Sequence, residues 1–181
     1  MKVEDYIQWV KENDILIKSQ EIGDFVYSVR YLPVDFQIAN ELQAGNHNAF
    51  QLDTLRISLS EQISFIFKIS SIDGESTPLR YNVTTNEEYS YNLQYCSFNI
   101  ADDFFLINKD DTLKCVSALL IREYAVKSDN TIILTFESGQ SNDIDLTSDL
   151  KVVYEDRMWG NGIIKFTISE ENLKRIPILK Y

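Results

Sequence analysis

Gly23-Asp24-Phe25-Val26-Tyr27-Ser28-Val29-Arg30-Tyr31-Leu32-Pro33 decides the fold. Phe25, Tyr27, Val29 and Tyr31 share one face of an extended chain. Asp24, Ser28 and Arg30, joined by Val26, share the other. Alternation with a period of two, in aromatic and β-branched residues, predicts a half-buried strand. Pro33 ends it, because proline has no N–H to give a ladder. The same alternation returns at Ile63, Phe65, Phe67 and Ile69 against Ser64, Ile66 and Lys68.

Working outward, Val3, Tyr6, Ile7 and Val10 recur at helical spacing, which predicts a short amphipathic helix over about 3–12. Asn13 and Asp14 stop it, and Ile15 to Gln20 suits a strand. Asp35 reads as the N-cap of a helix through Gln43. Gly45-Asn46-His47-Asn48 and Asp73 to Pro78 read as loops. Residues 50–60 are ambiguous: Leu52, Leu55 and Leu59 fit a helix, while Leu55, Ile57 and Leu59 fit a strand. Strand is preferred. Thr85 with Glu88 forms a candidate capping box for a helix from Asn86 to Gln94; the rival is a strand carrying Tyr89, Tyr91, Leu93 and Tyr95, and either way a strand is expected from Tyr95 to Ile100.

The C-terminal third is rich in strand patterns. They run through Lys114 to Val126, Thr131 to Phe136, Leu150 to Tyr154 and Ile163 to Ile168, with Asp129-Asn130 as a hairpin turn between the first two; ahead of them Phe104 to Ile107 is another short strand. Ser169 is the expected N-cap of a last short helix through Arg175, and Pro177 blocks its extension. The expectation is one domain over 1–181, with a β-rich body over about 15–168 and a C-terminal helix over about 169–176. Its class is all-β or β-rich α+β: an antiparallel β-sandwich-like fold with seven or more strands and two to four short helices.

The chain has 181 residues and a formal charge of −11, from 17 basic and 28 acidic side chains. That field repels phosphate backbones and anionic membrane surfaces, so no nucleic-acid partner is expected. No apolar run reaches the ~18 residues of a membrane span, and the acidic start Met1 to Asp5 does not read as a secretory leader. Cys96 and Cys115 read as buried free thiols, with a single disulfide as the alternative.

Little in the chain carries chemistry. His47 is the one histidine, which excludes two-histidine metal sites, and its neighbours make it a loop residue. There is no CxxC, no GxGxxG and no Walker A sequence. Asp102-Asp103, Asp110-Asp111 and Asp143 with Asp145 are carboxylate pairs, but neighbours on a strand point to opposite faces. Ser141 to Asp145 also lacks the glycine and distal glutamate of a calcium loop. No metal, no cofactor and no catalytic residue is expected, and the chain does not read as an enzyme. The stretch Tyr154-Glu155-Asp156-Arg157-Met158-Trp159-Gly160-Asn161-Gly162 is the most informative. Two glycines permit a tight turn that displays Trp159 beside Arg157, to stack on a sugar or anchor a protein. These two are the candidate binding residues. The competing and preferred role for Trp159 is a plug folded back on one end of the sandwich.

One further signal is order. Ile22-Gly23-Asp24-Phe25 through Tyr31-Leu32-Pro33, Tyr95-Cys96-Ser97-Phe98, Ile121-Arg122-Glu123-Tyr124, Tyr154-Glu155-Asp156 with Gly160-Asn161-Gly162 and Phe166, then Ile176-Pro177 resembles a family of uncharacterised lipoproteins of Bacteroidetes bacteria. The resemblance spans about Tyr6 to Leu179. It implies an envelope protein tethered through a lipidated cysteine after a leader, and it implies no ligand and no site residue. Neither a leader nor such a cysteine precedes Tyr6. The expected function is a non-enzymatic accessory or binding protein of the bacterial cell envelope, whose partner is another envelope protein. The alternative is a carbohydrate-binding module using Trp159. The expected place is the envelope, periplasm-facing or anchored to the outer membrane if a leader is trimmed, and otherwise the cytoplasm.

Overall fold

The structure is a computed structural model and describes residues 1–45, 49–74, 76–121, 129–137 and 146–180. His47, Asp143, Asp145 and the Arg122-Glu123-Tyr124 motif lie outside them. Eight strands are described: β1 (Ile17–Ile22), β2 (Phe25–Leu32), β3 (Gln62–Ser71), β4 (Phe104–Asn108), β5 (Asp111–Ile121), β6 (Asp129–Glu137), β7 (Leu150–Asp156) and β8 (Gly162–Ile168). They form one sheet in the order β1-β2-β3-β6-β5-β4-β7-β8, antiparallel at every pairing. The sheet curls until its two edges meet. The Gln20 side chain of β1 donates to the Lys165 carbonyl of β8 at 2.6 Å, so the sheet is nearly closed into a barrel.

The expected antiparallel, β-rich domain is therefore what the chain forms, and its facing layers are arcs of a single sheet. Alternate residues fill the interior. Tyr27 and Phe67 from β2 and β3 meet Phe104 and Tyr154 from β4 and β7, with ring centroids between 4.5 and 6.1 Å apart for Phe104–Tyr154, Phe67–Phe104, Phe67–Tyr154 and Tyr27–Tyr154. Large rings at such spacings carry much of the core's buried apolar area.

Among the described residues five α-helices lie around the barrel: α1 (Val3–Glu12), α2 (Val34–Ala44), α3 (Ala49–Ser60), α4 (Asn86–Phe98) and α5 (Glu170–Lys174). None of the described helices is long and apolar enough to cross a membrane. The N-terminal helix and the Ser169-capped C-terminal helix stand where the sequence puts them; the Ser169 hydroxyl accepts from the Asn172 N–H.

Four local expectations are corrected. Residues 50–60 are helix, not strand. Leu52 is 1% exposed while Ile57 is 68% exposed; a strand would put Leu55, Ile57 and Leu59 on one face, and the helix instead buries Leu52 and half-buries Leu55 and Leu59. Docking of that stripe on α2 and β3 overrides the β propensity of the segment. Residues 95–98 continue α4 rather than starting a strand. Both halves of the capping box form, with the Glu88 N–H on Thr85 Oγ1 and the Thr85 N–H on Glu88 Oε2, and Cys96 gives the extra turn a buried contact. Asp129 and Asn130 are the first residues of β6, paired with Ser70 and Ile69 of β3, not a turn. Asp129 is held there by Lys68 at 2.6 Å. Finally, Asp35 does not cap α2. Pro33 holds the N-cap position, and the Asp35 carboxylate is engaged elsewhere.

Gly23, expected to open β2, forms the β1–β2 turn with Asp24. Its φ is +60°, and a Cβ there would stand 2.6 Å from the Asn161 side-chain oxygen. The turn needs glycine for both reasons.

Candidate functional site

Polar groups gather at two ends of the barrel. At the first, Asp156 closes β7 and is 3% exposed. The turn that follows wraps its backbone around this carboxylate, with Gly160 and Gly162 at positive φ. Oδ1 accepts from the Trp159 N–H at 2.9 Å and the Tyr154 hydroxyl at 3.2 Å. Oδ2 accepts from the Tyr27 hydroxyl at 2.7 Å, the Asn161 side-chain amide at 3.0 Å and the Asn161 N–H at 3.3 Å. The Asn161 amide also donates to the Tyr27 oxygen at 2.8 Å. Burial, then the hydrogen bond to Asp156, pushes the Tyr27 phenol upward, so it remains a protonated donor. With five donors on two oxygens, Asp156 is a knot that ties the turn to the barrel wall.

Asp103 lies beside it in the 3₁₀ turn Ile100–Asp103 and is fully buried. It accepts from the Tyr95 hydroxyl at 2.6 Å. Its other oxygen makes no hydrogen bond among the described residues and has the half-exposed Arg157 guanidinium 3.4 Å away. Burial pushes the Asp103 carboxyl up, while Tyr95 and Arg157 oppose the shift. The Cys96 thiol donates to the Met158 sulfur at 3.5 Å, and burial pushes its pKa up to about 12. It stays an uncharged thiol, the opposite of an activated nucleophile.

The two residues singled out by sequence share this turn but not an environment. Trp159 folds back: its ring packs on Phe25 at 5.6 Å and its indole N–H donates to the Pro78 carbonyl at 3.1 Å. Arg157 stays exposed and pairs with Glu155 at 2.7 Å. Asp102 is exposed while Asp103 is buried, and Asp110 and Asp111 are both exposed, so neither pair converges. Among the described residues no three metal-ligating side chains cluster. Cys96 and Cys115 are both free and buried.

At the other end of β2 an open cleft of about 440 Å³ lies between α1, α2, α3 and the C-terminal segment. That volume suits a small ligand. Asp35 is its polar centre. Oδ1 pairs with Arg56 at 2.5 Å and Oδ2 accepts from the Leu179 N–H at 3.1 Å. Tyr6 and Tyr31 line the wall beside this pair. Tyr6 is fully buried, and its hydroxyl has no hydrogen-bond partner among the described residues. Burial, then the Asp35 charge, pushes the Tyr6 phenol up, with Arg56 partly opposing. Ile63, Leu173 and Ile176 supply apolar wall.

Sequence reasoning missed this cleft because two of its polar residues, Arg56 and Ser60, sit on the helix read as a strand. The signal was present: Leu52, Leu55 and Leu59 at helical spacing put Arg56 on the flank of the buried stripe.

No family model matches the chain, and no curated protein matches it. A crystal structure of a protein of unknown function from Burkholderia pseudomallei K96243 is similar at 12% identity, over 97% of this chain and 93% of that one, with a TM-score of 0.40.

Proposed function

We propose that this chain is a non-catalytic binding protein of the bacterial cell envelope, and that the Asp35–Arg56 cleft is its binding site. The observation that carries the reading is the cleft itself: a concave, mostly apolar space of about 440 Å³ with a few convergent polar groups, the usual anatomy of a ligand site. A non-catalytic role is supported by the other end. There the Asp156 carboxylate is saturated by donors and burial suppresses the Cys96 thiolate. The envelope placement rests on the ordered motifs from Ile22 to Pro177. A second envelope protein, as a partner, would find apolar surface on α4, where Tyr91 and Phe98 are 66% and 79% exposed.

The test uses isoleucine-methyl NMR of the whole chain, titrated with small amphiphiles and with a panel of mono- and oligosaccharides. The reading expects saturable shifts confined to Ile63, Ile176 and Ile178. Saturable shifts from a sugar around Trp159 would overturn it in favour of a carbohydrate-binding module. Turnover of ester or glycoside substrates, lost in Asp156→Asn, would overturn the non-catalytic part.

A further inference from the structure

We infer that the cleft takes an uncharged amphiphile: a small apolar body ending in one hydrogen-bonding oxygen, which the Tyr6 hydroxyl meets. The inference rests on the cleft being the binding site and adds the class of ligand.

Three observations lead to it. First, the charge of the lining is closed on itself. Among the described lining residues Asp35 and Arg56 are the charged side chains, they pair with each other, and the remaining Asp35 oxygen is taken by the Leu179 N–H. A ligand charge would enter a space with no surplus charge to meet it, and burying an uncompensated ion is costly. Second, one buried polar atom is left open. The Tyr6 hydroxyl has no partner among the described residues, and it is buried so fully that a ligand oxygen reaches it by displacing the side chains that cover it. Buried hydroxyls are nearly always satisfied, so an orphan on the wall of a cleft marks a missing partner. Its phenol keeps its proton beside Asp35 and can donate to an ester, ketone or alcohol oxygen. Third, the walls beyond that atom are apolar: Ile63, Leu173, Ile176 and Ile178. At ~30 Å³ per water-sized group, 440 Å³ holds about fifteen non-hydrogen atoms, which bounds the body to a short chain or one or two rings. The hydroxyl and the ester oxygen share the required chemistry, so the probes separate them.

The experiment titrates the whole chain with octanol, methyl octanoate, octanoate and octylammonium, reading the Ile63 and Ile176 methyl signals. The expected result is saturable binding of octanol, of methyl octanoate, or of both, with a dissociation constant of about 0.1–1 mM. Octanoate and octylammonium bind at least about tenfold more weakly. Tyr6→Phe, its fold verified by circular dichroism, weakens the uncharged probe about fivefold. Whichever of the two uncharged probes binds more tightly identifies the head group as hydroxyl or ester. Equal or tighter binding of either charged probe overturns the inference, as does an unchanged affinity in Tyr6→Phe; both outcomes leave the cleft standing as a binding site. Absence of any shift at the cleft methyls with all four probes overturns the site as well.

Discussion

Tyr27 and Tyr31 stand on the same face of β2, four residues apart, which is about 13 Å along a strand. One points into a finished structure and the other borders an unfinished one. Around Tyr27 each oxygen of Asp156 is saturated, by hydroxyls, backbone N–H groups and an amide. Beside Tyr31, the fully buried Tyr6 lines a cleft, and its hydroxyl has no partner among the described residues. A polar network completed by the chain itself rigidifies a turn. At the cleft the network is one bond short. The same barrel thus carries an end completed within the chain and, on the reading proposed above, a receptive end, and they differ in satisfaction rather than in residue type.

The comparison breaks most easily at Asp156. Asp156→Ala leaves three side-chain donors and two N–H groups facing one another without an acceptor. The expected loss is about 3–5 kcal/mol, or about 10 °C in Tm for a chain of this length, measured by urea and thermal unfolding. A loss under about 1 kcal/mol would mean that the knot is not structural.

Gly23→Ala attacks the same end through the backbone. The glycine holds φ +60°, and its new Cβ would meet Asn161 Oδ1 at 2.6 Å. Displacing Asn161 disturbs Asp156 as well, so about 2–3 kcal/mol is expected. Gly45→Ala is the control. It has φ +69° but nothing within 4 Å of the added Cβ, and about 1 kcal/mol is expected there. Equal losses at the two glycines would show that the Gly23–Asn161 contact is slack.

Alkali probes the knot without mutation. Burial pushes the Cys96 thiol up to about 12, and burial raises the Tyr27 and Tyr154 phenols as well. An unfolded thiol titrates near ~8.5 and an unfolded phenol near ~10. Through that window the unfolded chain releases protons that the folded chain retains. The stabilisation is complete below the unfolded values and is lost as pH rises towards the folded ones. Each group contributes a slope of about −1.4 kcal/mol per pH unit while its window lasts. Unfolding free energies measured from pH 8 to pH 11 are expected to fall, and Cys96→Ala is expected to flatten the onset near pH 9. An identical onset in that variant would remove Cys96 from the account.

How much of this was legible in the chain follows from range. β2 and β3 were legible because period two is a local signal, carried by Phe25 to Tyr31 and Ile63 to Ile69. The capping box at Thr85 and Glu88 was legible for the same reason. α3 was not, because Leu55, Ile57 and Leu59 satisfy both periods and only docking against α2 decides between them. With α3 misread, Arg56 could not be brought to Asp35, and the cleft was invisible. The turn after Tyr154 was recognised by its glycines, and the plug preferred for Trp159 matches its packing on Phe25. Asp156, the group that organises the turn, went unremarked. As one of 28 acidic residues it bears no local mark, and its meaning comes from Tyr27, 129 residues away in sequence.

The sharpest discriminator between the two ends removes the same atom from each. Tyr6 and Tyr27 are both fully buried tyrosines, so Tyr→Phe deletes one oxygen and leaves the ring packing in place. At Tyr27 that oxygen donates to Asp156 at 2.7 Å and accepts from Asn161 at 2.8 Å. Its removal withdraws a charge-assisted bond and strands an amide proton, for an expected loss of about 1.5–3 kcal/mol. At Tyr6 the oxygen makes no hydrogen bond among the described residues. Its removal relieves the folded state of an unsatisfied polar atom, so unfolding of the ligand-free protein should be unchanged or up to about 1 kcal/mol more stable. Parallel urea titrations of the two variants read the difference directly. Two equal losses would mean that the Tyr6 hydroxyl has a partner in solution, and the contrast between a completed end and a receptive one would collapse. Opposite signs would show that the fold completes the bonds of the Tyr27 hydroxyl and leaves the Tyr6 hydroxyl without one.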